Sequence, residues 1–88
     1  MEIRWTDYMV DRARTRGFAL AGLEQILRFT QERYFDTTTR RPVAIGRLEH
    51  GLVMIPYDHA GETITPVTIH ATTRPQITAR LRAGRFIP

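Results

Sequence analysis

The hydrophobic period of this chain changes once, near residue 34, and that change sets its fold class. Before it, apolar residues recur at helical spacing: Tyr8, Met9 and Ala13 make one stripe, and Leu23, Ile26 and Leu27 make another. After it the period is two, with Val43 and Ile45 alternating against Ala44 and Gly46. Thr6 is placed to cap a first helix that Gly17 stops, and a second helix is predicted to end near Arg33. Tyr34 and Phe35 open a strand, Thr37 to Arg41 form a polar turn, and residues 42–58 read as a hairpin turning at His50-Gly51. Ile64 to Ala71 is a last strand, where Pro66 argues for an edge position or a strand start. Thr73 then caps a short final helix, with Pro75 in its first turn and Gly84 as its stop. With a leading strand at residues 2–5 the order is β-α-α-β-β-β-β-α. That order predicts a single α+β domain over residues 1–88, with helices on one face of a small antiparallel sheet. The two N-terminal helices should bury Leu23, Leu27, Val43, Ile45, Val67 and Ile69.

Four residue types are absent: Ser, Cys, Lys and Asn. Their absence removes serine and cysteine nucleophiles, Schiff-base lysines, the lysine of a phosphate-binding loop and any thiolate metal site. Histidines, tyrosines, acids, threonines and arginines remain, an inventory suited to proton transfer and charge stabilisation. Asp58-His59 lacks the spacing of a metal motif, so neither a metal nor a cofactor is expected. No apolar run approaches the ~20 residues of a membrane span. Arg4, Asp7 and Asp11 interrupt any signal-like stretch, and the expected location is the cytoplasm.

Charge is segregated along the chain. Residues 1–62 balance nine Arg against nine Asp and Glu, whereas residues 63–88 carry Arg74, Arg80, Arg82 and Arg85 with no acid. The whole net charge of +4 therefore belongs to the last segment, as expected where a phosphate-rich partner docks. Arg12, Arg14 and Arg16, diluted by Asp7 and Asp11, read as helix solvation.

In the last strand Val67, Ile69 and Ala71 should point to one face, and Thr68, His70 and Thr72 to the other. Arg74 and Arg80 follow at once, so a phosphate held by them would lie near the His70 imidazole. Tyr57 and Arg47, on neighbouring strands, are further candidates for the same face. The expected catalytic set is His70, Arg74, Arg80 and Tyr57; Arg47, Thr72, Arg82 and Arg85 would extend an RNA-binding surface. A plain solvated strand followed by a surface helix is the alternative.

The segments Ile3-Arg4-Trp5-Thr6, Arg16-Gly17-Phe18 and Leu23-Glu24-Gln25-Ile26-Leu27 resemble the opening of the BrnT-type toxins. Arg41 to Tyr57, then Val67-Thr68-Ile69-His70-Ala71-Thr72-Thr73-Arg74, resembles their hairpin and the final strand that runs into a basic helix. The absence of Lys departs from many such proteins. The resemblance implies a RelE-like fold and the toxin half of a bacterial type II toxin–antitoxin pair. It also implies metal-independent ribonuclease activity on RNA, on or off the ribosome, and a small antitoxin protein encoded nearby as partner. A non-catalytic module binding nucleic acid or protein through the same surface is the rival reading.

Overall fold

The computed structural model describes all 88 residues. In chain order the elements are β1 (Glu2–Ile3), α1 (Asp7–Thr15), α2 (Leu20–Phe29), β2 (Arg33–Asp36), β3 (Arg41–Leu48), β4 (Gly51–Ala60), β5 (Thr63–Pro66), β6 (His70–Thr72), α3 (Arg74–Arg82) and β7 (Phe86–Ile87). The caps are local chemistry. The Thr6 hydroxyl accepts the Met9 N–H at 3.1 Å, and the Thr73 hydroxyl accepts that of Gln76 at 3.3 Å. Helix α2 stops at Phe29, short of the expected Arg33. Thr30 is extended there and its hydroxyl donates to the Ile45 carbonyl at 2.6 Å, tying the chain to the sheet. Arg33 instead reaches back to the open carbonyl of Leu27 at 2.6 Å. No helix is long and apolar enough to cross a membrane.

The strands form one sheet in the order β1-β5-β4-β3-β2-β7, with β6 also on β4. Only β1 with β5 is parallel, so the sheet is mixed and mostly antiparallel, an α+β fold. The two N-terminal helices share one face of the sheet, as expected, and the C-terminal helix lies on the other, so both faces are covered. On the first, Met9 and Ala13 of α1 and Leu23, Ile26 and Leu27 of α2 pack on Ala44, Val53, Ile55, Tyr57, Ile64 and Ile69. On the second, Ile77 of α3 and Phe86 of β7 pack on Val43, Ile45, Leu52 and Met54. Val43 and Ile45 are thus buried as expected but lie on the face away from α1 and α2. Val67 is only half-buried. Strand β7, which the sequence reading did not anticipate, supplies the fully covered Phe86.

The expected single last strand is two strands, β5 and β6, which follow the same edge of β4. Tyr57 pairs with Pro66, and Met54 with His70, so residues 67–69 stand opposite only Ile55 and Pro56. One extra residue makes a bulge. It falls beside Pro56, which has no N–H to give the ladder, while its carbonyl accepts the Val67 N–H at 2.9 Å. The bulge shifts the alternation by one. Ile64 and Pro66 face α1 and α2, beyond it Ile69 and Ala71 do, and His70 and Thr72 turn toward α3.

Helix α2 sits close on β3 because Gly46 has no side chain: a Cβ there would stand 2.5–2.7 Å from three atoms of Ile26. Ile26 is β-branched and cannot swing aside. Gly46→Ala should therefore lower unfolding stability by about 1–3 kcal/mol, as overpacked cores do. Urea denaturation checks it, and a stability equal to wild type would show that the α2–β3 contact is looser than described.

Candidate functional site

The charge segregation seen along the chain is partly undone in space. Arg74, at the start of α3, makes a two-pronged ion pair with Glu32, one nitrogen–oxygen distance being 2.7 Å. Glu32 also accepts the Tyr34 hydroxyl at 2.7 Å. The Arg74 hydrogen bond holds the Glu32 carboxyl below its ordinary range, outweighing its partial burial, while burial and the Glu32 bond push the Tyr34 phenol up. Arg85 closes a second two-pronged pair on Asp36, both distances 3.2 Å. Asp36 is only 2% exposed and also accepts the N–H groups of Thr38 and Thr39. Burial alone would raise its carboxyl; the Arg85 bond and these backbone donors overcome that and hold it low. Two of the four arginines of the basic segment are thus neutralised.

The open edge of the sheet at β6 gathers three arginines. Arg12, near the end of α1, donates to the Thr68 hydroxyl at 3.0 Å, and Arg16 donates to the Ile69 carbonyl at 3.2 Å. From α3, Arg80 lies over the Phe86 ring at 5.6 Å. None of the three stands in an ion pair. His70 lies among them, half-buried. Burial first, and then the positive charges of Arg16, Arg12 and Arg80, hold its pKa below the ordinary value of 6.5. At neutral pH the imidazole is uncharged and able to accept a proton.

Of the residues expected from sequence, His70, Thr72, Arg47 and Arg80 come together on the α3 side of the sheet. Arg47, Leu52 and Thr72 form one cross-strand row, beside the row of Ile45, Met54 and His70. Thr72 is buried, its hydroxyl 3.3 Å from the Gln76 side-chain oxygen, so it positions the start of α3 and offers no free surface. Arg82 is exposed. Arg74 and Arg85 are taken by Glu32 and Asp36. Tyr57 lies on the opposite face, 5% exposed, its hydroxyl receiving Arg33 at 3.3 Å; it does not join His70. Arg12 and Arg16, read as helix solvation, belong to the site instead. Their spacing of four puts both on one side of α1, a signal that separates them from Arg14. No group of three or more His, Asp or Glu side chains is arranged to hold a metal ion.

The Asp36–Arg85 pair fixes the C-terminal segment to the turn before β3. A carboxyl held below its unfolded value contributes stability that is complete above about pH 4 and fades as pH falls through the folded value. Asp36→Ala should therefore cost about 2 kcal/mol at pH 7, as loss of hydrogen bonds to a charged group does. The deficit should shrink toward pH 2 to 3. Urea melts at both pH values test this, and an equal loss at each would assign the effect to packing alone. Comparison of the chain with protein-family models, curated proteins and solved structures finds no match.

Proposed function

We propose that this chain is the toxin of a bacterial type II toxin–antitoxin pair, a RelE-like, BrnT-type ribonuclease that cuts RNA without a metal. One observation carries the reading: a half-buried imidazole on an open sheet edge, beside three guanidiniums that stand in no ion pair. His70 takes the proton of a ribose 2′-hydroxyl, whose oxygen attacks the adjacent phosphorus. The 5′-oxygen leaves as the bond to phosphorus breaks and takes up the proton, leaving a 2′,3′-cyclic phosphate. Arg12, Arg16 and Arg80 offset the negative charge that builds on the phosphate. Arg47 and Arg82 widen the footprint, and an acidic antitoxin covering this edge would silence it. One observation favours a non-catalytic RNA-binding module: Tyr57, the second candidate for proton transfer, lies on the far face from His70.

Binding to single-stranded RNA should weaken steeply with salt, because each neutralised phosphate releases condensed counterions. Replacing Arg12, Arg16 and Arg80 together by Gln should flatten the log–log salt slope by about 2, at roughly 0.7 per lost contact. Arg74→Gln should leave the slope unchanged, since Glu32 already holds that guanidinium. An unaltered slope in the triple variant would place the partner surface elsewhere.

Cleavage should fall by about 10²–10⁴ in His70→Ala while RNA binding persists. Because the imidazole must be unprotonated to act, the wild-type rate should drop only below about pH 6.5 and be level above it. RNA integrity and growth on expression of each variant are the measurements. A wild type that binds RNA but neither cuts it nor slows growth establishes the binding module.

A further inference from the structure

A groove of about 410 Å³ runs between the α1–α2 turn and the tip of the β3–β4 hairpin, on the face of the sheet opposite α3. Its walls are apolar at Phe18, Leu48 and Ala71, and polar at Arg16, Glu49 and His50. Three features show that it is open space rather than loose packing. Ala71 is exposed although Ile69, on the same side of the same edge, is fully covered, so the helical layer ends between them. Gly17 and Gly51 also border the groove, and a Cβ on either would meet nothing within 4 Å. Glu49 makes no ion pair or side-chain hydrogen bond, although arginines abound in this chain.

The groove also adjoins the cationic edge. Arg16 lines it while donating to the Ile69 carbonyl beside His70, and Ala71 is the residue next to His70. The edge of β6 has no further strand on it, so a strand of nucleic acid can cross there from one face to the other.

Resting on the RNA reading above, we propose that this groove receives one base of single-stranded RNA, whose neighbouring phosphate lies against Arg16 and His70. Phe18, Leu48 and Ala71 offer the base an apolar slot, and the size is that of a small-ligand site. The Glu49 carboxylate only accepts hydrogen bonds, so it favours bases that present an exocyclic amino group, cytosine, adenine and guanine, over uracil.

Fluorescence anisotropy with labelled hexamers of C, A and U on the full chain tests this. The wild type should bind the C and A hexamers about tenfold tighter than U. Glu49→Ala, in an exposed turn, should erase that ratio whatever it does to overall affinity. Ala71→Leu, at an exposed position, should fill the groove and weaken C and A binding about tenfold without changing the salt slope. Circular dichroism and urea melts confirm that both variants fold. Salt-sensitive binding with no base preference, unaffected by Ala71→Leu, overturns the base site and leaves the RNA reading standing. No binding of any hexamer at low salt removes the RNA reading and this inference together.

Discussion

Strand β4 is covered on both faces along the run from Leu52 to Tyr57, and the rest of the chain is arranged to do the covering. A strand exposed on one side needs a single helical layer, whereas this one needs two. In a domain of 88 residues that demand is heavy: the two faces take 17 buried apolar residues, while Tyr8, Leu20, Phe29, Phe35 and Ile87 stay exposed. The helices α1 and α2 take the side of Val53, Ile55 and Tyr57. The opposite side is left to α3, which buries one residue fully, and the two-residue strand β7 completes that cover with Phe86. Because the second layer is so thin, the ion pairs Arg74–Glu32 and Arg85–Asp36 add to its few apolar contacts in fixing its position.

Those pairs also decide where positive charge is available. An acid-free segment looks like a cationic surface only while it is read in isolation. Folding sets the C-terminal segment beside β2 and its flanks, and the two acids there draw in the arginines at either end of α3. The unpaired guanidiniums that stay near His70 come from both layers, Arg12 and Arg16 from one and Arg80 from the other. The sheet edge is where the two layers meet, which is why charges far apart in sequence converge there.

Much of the fold was legible locally. The α2 stripe, Met9 and Ala13 of α1, the caps at Thr6 and Thr73 and the hairpin turn at His50 are statements about neighbours, and they match the structure; Tyr8, expected to face inward with Met9 and Ala13, is instead 59% exposed. The faces of the sheet were harder, because alternation says which residues share a side but not what lies over each side. The uninterrupted run Leu52-Val53-Met54-Ile55 carried that information: a strand with water on one face would alternate. The bulge was not legible: Ile64 to Ala71 reads as one regular strand, and in a sheet covered on both faces Ile64 and Ile69, five apart, can each be buried without one. What local pattern does not supply is pairing at long range, and so it points to Arg74 rather than to Arg12 and Arg16. Strand β7 escaped for a related reason, since two residues make no period.

The bulge beside Pro56 has a consequence for length variation. It is the one place in the last strands where the chain can lose a residue without changing sides: with two residues rather than three between Pro66 and His70, the ladder closes and His70 still stands opposite Met54. A residue added or lost within β6 itself has no such slack, and would carry the imidazole across to the face covered by α1 and α2. Sequences that share this architecture can thus differ by one residue just ahead of the histidine and keep the same edge chemistry. Alignments that treat the segment as one regular strand would misplace it.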